Sequence, residues 1–132
     1  MKRLGLGLLA AVCALLVPAA YAHHSFSLDY LEDQTTSIEG NVEEFLYRNP
    51  HAILKVRVTD PQGTAVSYAA EWGGAGRLSR SGITADTLKP GDVVRVTGAP
   101  GRVAADHRIH LKKIERPADG WAWGNDRRGR GR

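Results

Sequence analysis

Thr36-Ser37-Ile38-Glu39-Gly40-Asn41-Val42-Glu43-Glu44-Phe45-Leu46-Tyr47-Arg48-Asn49-Pro50 is the stretch on which the fold turns. Ile38, Gly40 and Val42 share one parity of a period-two pattern, and then Glu43-Glu44 interrupts it. Phe45 and Tyr47 continue on the other parity. A strand that changes its inward parity contains an extra residue or a sharp bend, so a bulge is expected between Gly40 and Glu44. A long, strongly bent first strand suits a small closed barrel. Arg48-Asn49-Pro50 then ends it.

Downstream of this stretch, clean alternation from Ala52 to Thr59 puts Leu54, Val56 and Val58 on one side and Lys55, Arg57 and Thr59 on the other. Asp60-Pro61-Gln62-Gly63 is a turn, with Pro second and Gly fourth. The next strand, Ala65 to Trp72, groups Val66, Tyr68, Ala70 and Trp72. After Gly73-Gly74 the period changes, and Ala75 to Ser81 reads as a short helix with Leu78 inward and Gly82 as its stop. Thr84 can cap one further turn through Leu88. Lys89-Pro90-Gly91-Asp92 turns into a strand over Val93 to Gly98, with Val94 and Val96 inward and Arg95 outward. A last strand covers His107 to Glu115. This order predicts a mainly β protein, an OB-like five-stranded barrel with a short helix between strands 3 and 4. An open β-sandwich fragment is the alternative.

Upstream lie the marks of export. Lys2 and Arg3 precede an apolar run from Leu4 to Val17, and Ala20-Tyr21-Ala22 supplies a small-x-small cleavage pattern. The run is shorter than the roughly 20 apolar residues that span a bilayer, and it stops at Pro18. The expected organisation is a cleavable signal peptide over 1–22, an N-terminal arm over 23–35, the barrel over 36–115, and a flexible tail rich in Trp, Gly and Arg over 116–132. That places the mature protein in the periplasm, or outside the cell, with no transmembrane segment. Cys13 is the only cysteine and leaves with the signal, so the mature domain has neither disulfides nor thiolate ligands.

The sequence holds 18 Lys and Arg against 14 Asp and Glu, yet residues 23–115 hold 11 basic and 12 acidic groups. The positive bias lives in the tail. A phosphate-binding barrel shows a basic face, so nucleic acid is not the expected partner. Ser25, Ser79 and Ser81 lack any Gly-x-Ser-x-Gly context, which argues against a hydrolase and gives no catalytic residue.

Three segments together carry a resemblance: His23-His24-Ser25-Phe26, Arg48-Asn49-Pro50-His51-Ala52 and Leu88-Lys89-Pro90-Gly91-Asp92-Val93-Val94. They resemble a family of small exported bacterial proteins of unknown function, over about residues 22 to 115. The resemblance implies export and fold, and no activity.

The histidines are the candidate chemistry. Cleavage after Ala22 frees the α-amino group of His23, which can then chelate one metal through its amine and ring Nδ1, in outline like the histidine brace of exported copper proteins. Nitrogen-rich, thiolate-free ligation favours Cu(II). His24 is adjacent and can compete. His51 follows a proline in the loop between the first two strands, where OB-like barrels present ligand contacts. His107 and His110 are three apart, which places them on opposite strand faces unless the strand begins after His107. His23, His24, His51 and His110 are therefore the candidate metal ligands, and copper the candidate cofactor. The acids Asp29, Glu32 and Asp33 read as solvated charge.

Two other functions fit the sequence. A non-metal ligand-binding barrel could use Tyr47, Lys55, Arg57, Tyr68 and Trp72 as a face. An envelope interaction module could use Trp121-Ala122-Trp123-Gly124 and the Arg-Gly run after it to touch a protein partner or anionic lipid.

Overall fold

A computed structural model describes residues 25–124. The expected signal peptide, its cleavage point, His23 and His24 lie outside the described residues, as does the end of the expected tail, 125–132. Among the described residues no helix is long and apolar enough to cross a membrane.

The fold is built on β1 (Thr36–Leu46), β2 (Ile53–Thr59), β3 (Ala65–Glu71), β4 (Val93–Pro100) and β5 (Arg108–Arg116). Hydrogen bonding runs β3-β2-β1-β4-β5, and a parallel pairing of β3 with β5 closes the ring into a five-stranded barrel. Every other pairing in the ring is antiparallel. Helix α1 (Phe26–Asp29) precedes the barrel, and helix α2 (Ala75–Ser79) sits between β3 and β4. The expected OB-like order is the observed one.

β1 serves both halves of the barrel, and its bend makes that possible. The register with β2 slips between Val42 and Glu44, the bulge that the parity change at Glu43 implied. Gly40 lies so close to β2 that a Cβ there would stand 2.0 Å from the Arg57 carbonyl oxygen, so only glycine permits this approach.

The inward faces form one core of Leu54, Val56, Ala70, Val94, Val96, Ile109, Leu111 and Ile114, all buried. Trp72, Leu78, Ile83 and Leu88 extend it. Leu78 of α2 is 1% exposed, and Gly82 ends the segment at φ 76°. Val66 and Tyr68 share the inward parity but are only half-buried, because the outer part of β3 runs past the packed interior. Arg57 and Arg95 are exposed, and Lys55 keeps its chain half-covered while reaching Glu44.

Two expectations are corrected here. Thr84 to Leu88 is a turn and not helical: the Thr84 backbone N–H donates to the Thr87 hydroxyl, and that of Asp86 to the Thr84 hydroxyl. The segment expected to begin a flexible tail instead forms β6 (Trp121–Trp123), antiparallel to β5. Arg116 fixes the turn before it, donating to Asp119, Asp92 and the Thr87 carbonyl and lying 5.4 Å over the Trp121 ring. Trp123 meets Trp72 edge to face at 4.9 Å. These contacts depend on chain folding, which residue composition alone does not encode.

Candidate functional site

The barrel closes over only three pairs, Ala69 with Arg108, Ala70 with Ile109 and Glu71 with His110. Alternation sends Ala70 and Ile109 into the core, so Glu71 and His110 stand side by side on the outer surface at the seam. Outward side chains of a barrel normally meet water. Here the N-terminal arm lies over them.

The arm is held by its backbone and by one arginine. Tyr30 forms an isolated antiparallel bridge with Gly101, the Leu31 N–H donates to the Pro100 carbonyl, and Arg102 donates through two nitrogens to the Ser27 carbonyl. Tyr30 is thereby fully buried although it lies outside the barrel. Its hydroxyl donates to Glu71 Oε2 at 2.5 Å, and Arg108 reaches the same oxygen at 2.9 Å with its guanidinium 5.1 Å over the Tyr30 ring. The other oxygen, Glu71 Oε1, accepts from His51 Nδ1 at 2.7 Å.

A second carboxylate repeats the arrangement beside it. His110 Nδ1 donates to Glu32 Oε1 at 2.6 Å, while Lys112 pairs with Glu32 Oε2. The Phe26 ring touches both imidazoles, stacked on His110 at 3.6 Å with 7° between planes and tilted against His51 at 4.9 Å. Two histidines from distant parts of the chain thus share one phenylalanine of the arm as a neighbour.

Burial and bonding oppose each other at these groups. Burial raises the Glu71 carboxyl, but bonds from Tyr30, His51 and Arg108 outweigh it and hold the carboxyl below its ordinary value. Glu32 is lowered in the same way, against burial, by Lys112 and His110. The Tyr30 hydroxyl is raised by burial and by the bond to Glu71. His110 is lowered, burial being the largest cause with Lys112 adding to it and Glu32 opposing, so its imidazole is neutral at pH 7.

Of the predicted ligands, His51 and His110 both touch Phe26 of the arm, and His23 and His24, the first residues of the expected arm, lie outside the described residues. His107 is separate. It sits before β5 with φ 47°, its ring 5.2 Å from Tyr68 on another part of the barrel. Glu32, read as solvated charge, is instead the partner of His110. Among the described residues no three His, Cys, Asp or Glu side chains form a metal-sized group. The face proposed for a non-metal ligand is dispersed: Trp72 is buried, the Tyr47 hydroxyl bonds the Ile83 carbonyl, and Lys55 and Arg57 pair with Glu44 and Glu43.

Comparison with known proteins finds no curated protein that matches. A solved structure described as the crystal structure of the ZRD-deleted mutant of TiaS in complex with agmatine is similar over 71% of this chain, at 21% identity and a TM-score of 0.47; the chain spans 23% of that one. The model of the Family of unknown function (DUF6152) matches residues 11–110, and the chain belongs to that family.

Proposed function

We propose that the mature protein is an exported, periplasmic copper-binding protein in which the His23 amine and ring, with His51 and His110, hold one Cu(II). One observation carries this reading: His51 and His110, the two candidate ligands among the described residues, each have a carboxylate on Nδ1, Glu71 for His51 and Glu32 for His110. A carboxylate there fixes the tautomer that leaves Nε2 as the lone-pair nitrogen, and it raises that nitrogen's basicity. This is the usual outer shell of a metal-ligating histidine. Face stacking by Phe26 leaves an in-plane lone pair open. The three residues from Phe26 back to His23 span at most about 10 Å, so the freed amine starts within reach of both rings. Nitrogen donors without thiolate favour Cu(II) among first-row divalent ions. Storage, delivery or sensing is the role this reading assigns to the site.

Calorimetric titration of metal-free mature protein with Cu(II), with electron paramagnetic resonance to count nitrogens, tests the proposal. One tight site is expected. An added N-terminal methionine removes the chelate, and His51→Ala and His110→Ala each remove one nitrogen. Ligation needs neutral imidazole and amine, with ordinary pKa values of about 6.5 and 7.7, so affinity falls below about pH 6. Equal copper binding by the mature and methionine-extended forms overturns the reading.

A further inference from the structure

Beside the histidine pair the surface opens into a cleft of about 320 Å³, at the lower end of small-ligand sites. Its walls are aromatic: Phe26 on one side, Trp72 and Trp123 on another, with His110 between them. Arg77, from α2, and Lys112, from β5, stand at its edge, and no Asp or Glu lines it. Lys112 is engaged by Glu32, whereas the exposed Arg77 guanidinium has no hydrogen bond or ion pair among the described residues. Trp72 is 1% exposed, and its indole Nε1–H, shielded from the surface, finds no acceptor among the described residues. A buried N–H without an acceptor is uncommon in a folded protein.

We infer that this cleft binds a small planar organic anion, an aromatic carboxylate, with its flat body among the Phe26, Trp72 and Trp123 rings and its charge on Arg77. Aromatic walls favour a flat apolar body. A planar guanidinium takes a carboxylate through two parallel bonds. The unpaired Arg77 charge favours an anion over a neutral ligand of the same shape. The inference goes beyond copper binding and does not need the metal.

The test uses metal-free mature protein, so its failure leaves the copper titration unaffected. Benzoate and its neutral isostere benzamide are titrated while tryptophan fluorescence and the Trp72 indole Nε1–H resonance are followed. Saturable benzoate binding that moves the Trp72 resonance is expected, with benzamide about tenfold weaker or worse. Arg77→Ala, an exposed position, should weaken benzoate about tenfold without changing benzamide, and Arg77→Lys should restore part of the loss. Benzoate and benzamide binding alike, an Arg77→Ala variant that binds benzoate as the parent does, or no saturable response to benzoate overturns the inference.

Discussion

Glu71 spends one carboxylate on three partners, Tyr30, Arg108 and His51, that come from the arm, β5 and the loop after β1. Glu71→Gln keeps the shape and removes the charge, leaving Arg108 without its counter-ion in a half-buried place. A loss of about 3 kcal/mol in urea unfolding is expected, with the arm more open to protease. Acid acts on the same residues. His110 has a folded pKa below its unfolded one, so the stability tied to its neutral form is present above about pH 6.5 and is lost as pH falls through the lower folded value. Glu71 and Glu32, also lowered, add stability present above about pH 4.3 and lost on further acidification. The urea midpoint should therefore fall in two limbs, and His110→Gln should remove the upper one. His51 and His110 were legible in the sequence as candidate nitrogens. Tyr30, Glu32, Glu71 and Arg108 were not: Glu71 has outward parity, and nothing local says that an arm from forty residues away will cover it.

The three-residue strand β6 does more than its length suggests, because it carries Trp123 onto Trp72 and Trp121 under Arg116. A half-buried tryptophan contributes less than the 3–5 kcal/mol of a core one, so Trp123→Ala should cost about 2 kcal/mol and expose Trp72 to fluorescence quenchers. A chain truncated after Arg116 should lose at least as much. Strands β1 to β5 were readable because each is long enough to show alternation against turn residues, and the bulge in β1 announced itself as a change of parity. β6 was not readable, since three residues among Gly, Asp and Arg show no period and the turn before it is fixed by Arg116 bonding Asp92, the residue before the neighbouring β4. The helical turn expected at Thr84 failed for a related reason: the Thr87 hydroxyl takes the Thr84 N–H and the Thr84 hydroxyl takes the Asp86 N–H, closing a turn instead.

At the scale of the whole molecule, the barrel is joined along its length by antiparallel pairings and closed by one short parallel seam, so the seam is its weakest joint. The candidate ligands His51 and His110 lie on either side of that joint. Under the proposed function, copper bound to both would act as a staple: at a free concentration one hundred times its dissociation constant it should stabilise the fold by about 2.7 kcal/mol. Calorimetric melting should show a higher midpoint with Cu(II), reversed by a chelator, and His51→Ala should abolish the shift. The seam also sets an order in time. A chain delivered amino end first presents the arm before any surface exists to receive it, because Tyr30 docks on Gly101 and Phe26 on His110, near the far end of the sequence. The two imidazoles cannot be neighbours until the last barrel strand has arrived. If the proposed copper site is right, a half-delivered chain can hold no ion in this geometry, and metal capture would mark a molecule that has finished folding.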